Sequence, residues 1–195
     1  MKQVLFYPDR DLPEELLRHA ERVREFAREK LLPHARLVDE ERRFRPETVT
    51  ELAAAGILGG PIAVDRGGAG WSPLELVVAH EEIGAVCGNT RGFLAVQAGL
   101  VGGCLQAFGD ETQKGTWLPR LARGEVIGCF ALTEPDAGSD VAAIQTRAER
   151  HGDHYTLHGE KIWITNGTIA QLAVVFCTVD PAVGRDGLTA FLVDT

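Results

Sequence analysis

At Glu125 the sequence changes its hydrophobic period, and that change limits the possible folds more than any other feature. Upstream, apolar residues recur three to four apart, most clearly at Leu16, Ala20, Val23, Ala27 and Leu31. Downstream, short apolar or alternating runs are separated by glycine- and proline-bearing turns. The chain therefore reads as α+β, with a helical domain over residues 1–123 and a β domain over 124–195. Strands are expected over 126–132, 146–150, 154–158, 161–165, 172–179 and 188–193, with Gly152-Asp153 as turn material. They are assigned to an antiparallel sheet or barrel. Nothing around Thr195 resembles a domain end, so that sheet is expected to be incomplete.

Helix boundaries are marked by caps and breakers. Asp11 and Glu14 have capping-box spacing, and Pro33 is expected to end or kink the helix that follows. A short helix opens at Pro46 and stops at Gly56, before a loop over 59–70 too rich in glycine to be helical. Ser72, Pro73 and Glu75 are an N-cap, a first-turn proline and a capping-box partner, starting a helix that runs to Cys87. Another helix is expected from Asn89 or Thr90 to Phe108. Its Gly92, Gly99, Gly102 and Gly103 cost propensity, and make sense where another backbone or a ligand packs close. Asp110 and Gln113 then open a helix carrying Trp117 and Leu118, bracketed by Pro119 and Gly124.

Composition narrows the function. A net charge of −8 argues against non-specific nucleic-acid binding and against attraction to anionic membranes. Apolar runs are too short and interrupted to span a bilayer. The first eight residues turn polar too quickly for a secretory signal, which favours the cytosol. Cys87, Cys104, Cys129 and Cys177 show no CxxC spacing and read as reduced, buried residues. His151, His154 and His158 lack ligand partners at metal spacing and read as hairpin-surface residues. Glu81 and Glu82 read as a solvated or helix-packing pair. Arg66-Gly-Gly-Ala-Gly70 lacks the Gly-Lys-Ser/Thr of a phosphate loop.

Two segments carry the chemistry. Cys129-Phe-Ala-Leu-Thr-Glu-Pro-Asp-Ala-Gly-Ser-Asp140 joins an apolar run to a tight loop with a hydroxyl at each end, Thr133 and Ser139. Such a loop can aim hydroxyls and N–H groups at one polar ligand, and Gly138 permits close approach. Equally, Thr133 and Asp136 can cap their own backbone around Pro135. In Glu160-Lys-Ile-Trp-Ile-Thr-Asn-Gly167, Trp163 can stack on a flat cofactor or fill a core.

Together these segments resemble the two flavin-contacting stretches of the acyl-CoA dehydrogenase family, in the family's order and spacing. Pro61 to Gly70 looks like its glycine loop, though 62–66 is unusual. His80-Glu-Glu-Ile-Gly84 looks like its Glu-Glu helix, and Gly109 to Glu125 like its approach to the β domain. The resemblance implies FAD as cofactor and α,β-dehydrogenation of an acyl-CoA or acyl-carrier-protein thioester, with electrons passed to a second flavoprotein. It implies that Phe130, Leu132 and Thr133 line the flavin ring, with Thr133 bonding its pyrimidine side. Trp163 and Ile164 would flank the ring, Thr165 would bond near N5, and Ser139 would meet the pyrophosphate or the carrier's pantetheine. Phe130 stands where the family commonly has Tyr, so a phenol hydrogen bond is lost. Family members continue into a helical bundle that supplies the catalytic carboxylate and most of a homo-oligomer interface. No catalytic base is therefore assigned, Glu134 included, and residues 1–195 alone are expected to be inactive. A flavin oxidase or monooxygenase on the same fold, or a non-catalytic module completed by a separate chain, are the rival readings.

Overall fold

The computed structural model describes residues 12–195. Helix α1 (Glu14–Phe26) presents Leu16, Ala20 and Val23 inward, as the periodicity requires. Asp11 lies outside the described residues. Glu14 is the first helical residue behind an N-cap Pro13, not the third position that a capping box needs. Pro33 does not end the helical path. A π-helical stretch, Ala27–Leu31, widens the coil, and α2 (Leu32–Glu41) continues with Pro33 in its first turn. The Leu32 N–H still bonds back to the Ala27 carbonyl, and the wider π-helical coil just before Pro33 accommodates a residue with no N–H to donate. Helix α3 (Glu47–Ala54) follows Pro46, and Gly56 sits at φ 70° just past its end.

In the glycine loop a Cβ on Gly68 would stand 2.0 Å from the Ile62 carbonyl oxygen, so only glycine fits. Helix α4 (Pro73–Gly84) starts with the expected capping box: Ser72 Oγ accepts from Glu75 N–H, and Glu75 accepts from Ser72 N–H. Glu82 is 2% exposed and takes both guanidinium arms of Arg24 at 2.9 and 2.8 Å, pinning α1 to α4. It is a helix-packing group rather than a solvated one.

Next come α5 (Gly88–Leu94), a π-helical stretch (Ala95–Gly102) and α6 (Gly103–Phe108), continuous along the chain. The expected close approach at the glycines is largely absent: Gly92, Gly99 and Gly103 face open space among the described residues. Helix α7 (Glu111–Ala122) opens with the Asp110–Gln113 capping box and carries Pro119 inside it, not at its end. One apolar cluster joins Val23, Leu52, Ile83 and Phe93 within the helices. A second joins Ile62, Val101, Leu118 and Leu121 to Leu172 and Val174 of the sheet, so helices and sheet share a core.

Among the described residues the sheet has five strands: β1 (Gly128–Ala131), β2 (Arg147–His151), β3 (His154–His158), β4 (Leu172–Thr178) and β5 (Leu188–Asp194). It is mixed, not antiparallel. β4 is the central strand. It runs antiparallel to β5 along its whole length, while β1 lies parallel to its first half, from Gly128↔Leu172 to Ala131↔Val175. β2 and β3 form the expected hairpin about Gly152, and β2 touches β4 at Thr178. Alternation in sequence shows that a segment is half-buried, but carries no strand direction. Residues 161–165 are not a strand. Trp163 and Asn166 have φ of 59° and 69°, which no extended run allows, and the Gly167 N–H closes a turn onto the Ile164 carbonyl.

Candidate functional site

The two motif segments meet in space. The Ile162 N–H donates to the Thr133 carbonyl at 2.9 Å, and the Asn166 side-chain amide donates to the Gly128 carbonyl at 3.1 Å. Between these bonds lies Trp163, left-handed and 88% exposed. A bulky residue at positive φ stores backbone strain, and a large apolar ring in solvent gains nothing from burial. The bonds made by Lys161 and Asn166 hold the turn, and a flat ligand against the indole would give the exposed ring a partner.

Thr133 and Asp136 do not cap the first loop; Asp140 in it caps the following turn, accepting the Ala142 N–H at 3.1 Å. Glu134 and Ala137 exchange backbone hydrogen bonds at 2.9 and 3.3 Å, and that closes the turn. Within the described residues, the hydroxyls of Thr133, Ser139 and Thr165 make no protein hydrogen bond. Thr133 is half-buried, while Ser139 and Thr165 are exposed, so all three retain capacity for a ligand. The capped-turn alternative for Thr133 and Asp136 therefore falls.

Beneath the loop sits Glu134, 6% exposed. Its carboxylate accepts from the Gln145 N–H at 2.7 Å, from the Thr146 N–H at 3.0 Å and from the Thr146 hydroxyl. Lys161 of the second segment donates to it at 2.7 Å and to the Leu132 carbonyl at 3.0 Å. Burial pushes the carboxyl up, but the hydrogen bonds from Lys161, Thr146 and Gln145 outweigh it and hold Glu134 down at about 2.

Leu132 opens onto an apolar recess of about 430 Å³ that it shares with Cys104, Phe108, Val141, Phe176 and Leu188. Phe130 packs on Phe176, ring centres 4.9 Å apart, and so belongs partly to the shared core. Ile164 is half-buried beside Trp163. The sequence-derived residues thus divide into Phe130 and Leu132, in and just after β1, and a rim made of half-buried Thr133 and exposed Ser139, Trp163 and Thr165, with Ile164 half-buried beside it.

Sequence reasoning missed the residue that joins this site to the helices. Gln97, in the π-helical stretch, is fully buried. Its amide donates to the Leu121 and Val126 carbonyls at 3.2 and 2.8 Å and accepts the Gly128 N–H at 2.7 Å. A Cβ on Gly128 would lie 2.7 Å from Val101 Cγ1 of the same stretch. The close approach sought among the helical glycines is made here instead. A lone amide within the apolar run 93–102 was the available signal.

Comparison with known proteins agrees with this geometry. The description "Acyl-CoA dehydrogenase, N-terminal domain" matches residues 13–125, and "Acyl-CoA dehydrogenase, middle domain" matches 129–195. The chain belongs to the acyl-CoA dehydrogenase family. It is 41% identical over 172 residues to a short-chain-specific acyl-CoA dehydrogenase of Clostridium acetobutylicum, covering 88% of this chain and 45% of that one. Its fold superposes with a TM-score of 0.90 on a glutaryl-CoA dehydrogenase of Mycobacterium smegmatis solved with FADH2, at 38% identity, covering 97% of this chain and 48% of the other. A prolyl acyl carrier protein oxidase, AnaB, superposes with a TM-score of 0.84 at 33% identity, covering 94% and 49%. The chain thus spans about half the length of these relatives. Among the described residues, no helix is long and apolar enough to cross a membrane.

Proposed function

We propose that residues 1–195 form the flavin-gripping half of an enzyme that oxidises an acyl thioester to its 2,3-enoyl product. The observation that carries this reading is the strained, solvent-exposed Trp163, held beside the Thr133 loop by the Ile162–Thr133 bond. These residues fit FAD: a free indole face for the ring, unbonded hydroxyls on Thr133 and Thr165 for its edge, and Ser139 for pyrophosphate or pantetheine. When bound, FAD supplies the hydride acceptor that no side chain can provide. The chain's own work is then positional. Thr133 orients the pyrimidine side, Trp163 and Ile164 flank the ring, and Thr165 bonds near N5. Phe130 and Leu132 make the apolar wall that keeps water from the reacting carbons. No residue of this chain is assigned as the base that removes the α proton. Residues 1–123 and 124–195 are the two units of this half, and the electron acceptor is a second flavoprotein.

The likeness to a carrier-protein oxidase supports one rival, in which oxygen takes the electrons. The test is the absorbance of the natively purified full-length protein. Bound flavin that bleaches anaerobically on adding butyryl-CoA or glutaryl-CoA, and recolours with an electron-accepting flavoprotein but slowly in air, supports the dehydrogenase. Rapid peroxide formation in air selects the oxidase, and a colourless protein removes both. Residues 1–195 alone are expected to give no turnover, and steady turnover by them would overturn that assignment.

A further inference from the structure

We propose that Glu134 and Lys161 are positioning residues: they set the register between the Thr133 loop and the Trp163 turn, and thereby tune flavin affinity and potential from beneath the site. The inference rests on the flavin reading above. Among the described residues one backbone hydrogen bond joins the two segments, Ile162 N–H to Thr133 carbonyl, and the Asn166 amide ties the far end of the turn to the Gly128 carbonyl. Residues 161–165 form a turn and not a strand, so no ladder fixes their placement against the Thr133 loop, and side-chain bonds must do so.

The ion pair removes that freedom. Lys161 and Glu134 side chains are 10% and 5% exposed, so neither serves solubility. Lys161 reaches one carbonyl short of the backbone bond, to Leu132, while its ammonium is held by Glu134 one residue beyond Thr133. The ammonium thus straddles Thr133 and can engage only one register. Glu134 in turn is fixed by the Gln145 and Thr146 N–H groups at the head of β2, so the clamp is anchored to the sheet. Three segments distant in sequence converge on one carboxylate. A buried pair on its own is weak evidence for stability, because apolar packing often does as well. It earns its place by fixing one arrangement. The two charges flank Thr133 and balance each other, so losing either one would leave a net charge beside the flavin site and move the potential in the direction set by the sign of the charge that remains.

The test uses full-length protein with Lys161→Met, Lys161→Arg and Glu134→Gln. Three quantities are read: the FAD dissociation constant, the flavin midpoint potential, and hydrogen exchange at the Ile162 amide. Lys161→Met is expected to weaken FAD binding about tenfold, to lower the potential and to speed Ile162 exchange. Lys161→Arg keeps charge and donors and is expected to restore all three in large part. Glu134→Gln keeps the volume of the acid but leaves the Lys161 charge uncompensated, so it is expected to weaken FAD binding and speed Ile162 exchange while raising the potential, and it decides the matter should Lys161→Met fail to fold. FAD affinity within twofold of the parent, with an unmoved potential, overturns the proposal even where stability falls, for the pair is then structural only. A parent that binds no FAD would remove the flavin reading, and Ile162 exchange in the variants would then decide the register role by itself.

Discussion

At the residue scale, two side chains show how the site is made. Trp163 keeps a left-handed φ of 59° and 88% exposure, both unfavourable to folding. Replacing it with glycine relieves the backbone and loses no burial. Trp163→Gly is therefore expected to hold or raise stability, by about 1 kcal/mol, while abolishing flavin binding in the full-length protein. Urea unfolding and flavin titration check the two halves, and a large loss of stability would show that the indole is structural. Glu134 gives a pH signature. Its folded value is depressed to about 2 from an ordinary 4.5, so its stabilisation is complete above 4.5 and is lost as pH falls through about 2. Glu134→Gln should flatten the fall in stability across that window. Parallel acid-unfolding curves for parent and variant would contradict the buried pairing.

At the scale of elements, one amide adds a polar link to the apolar core that sheet and helices share. Gln97 satisfies the Gly128 N–H and two carbonyls from inside the π-helical stretch, and Asn166 takes the carbonyl of the same Gly128. β1 is thus held by the helical layer at its amide and by the Trp163 turn at its carbonyl. Gln97→Leu keeps the volume but removes the side-chain partner of the Gly128 N–H and the Val126 carbonyl, while the Leu121 carbonyl keeps the Gly124 N–H, and should cost about 2 kcal/mol or more. Equilibrium denaturation reads that loss directly, and a cost under about 1 kcal/mol would mean that the groups find other partners. The Ser72 cap is the simpler contrast. Its hydroxyl serves one exposed helix start, so Ser72→Ala should cost only about 1 kcal/mol, measurable as a small shift in thermal midpoint.

Across the whole molecule, apolar surface is left facing solvent. Phe108 is 86% exposed, Val179 50% and Leu100 45%, in addition to Trp163. An acidic net charge of −8 opposes association at long range but does not cover an apolar patch. Residues 1–195 are expected to self-associate and to bind an apolar dye. Sedimentation velocity tests this, and a clean monomer with little dye binding would show that the patches are too dispersed to matter.

The sequence by itself determined the order of the elements, the α+β class, the caps at Ser72 and Asp110, and the two segments that carry the family's pattern. Each is a local property: a period, a cap or a motif is complete within a dozen residues. Only the tertiary structure decided what those segments do to one another. The parallel pairing of β1 with β4 follows from which strands meet across forty residues of chain, and apolar alternation is blind to direction. Residues 161–165 have the composition of a strand, yet form a turn because Lys161 is bound to Glu134 and Asn166 to Gly128. Gln97, Glu134 and Lys161 read in sequence as ordinary polar residues. Burial makes them specific, because a buried polar group must find its partner, and the partner lies in another part of the chain.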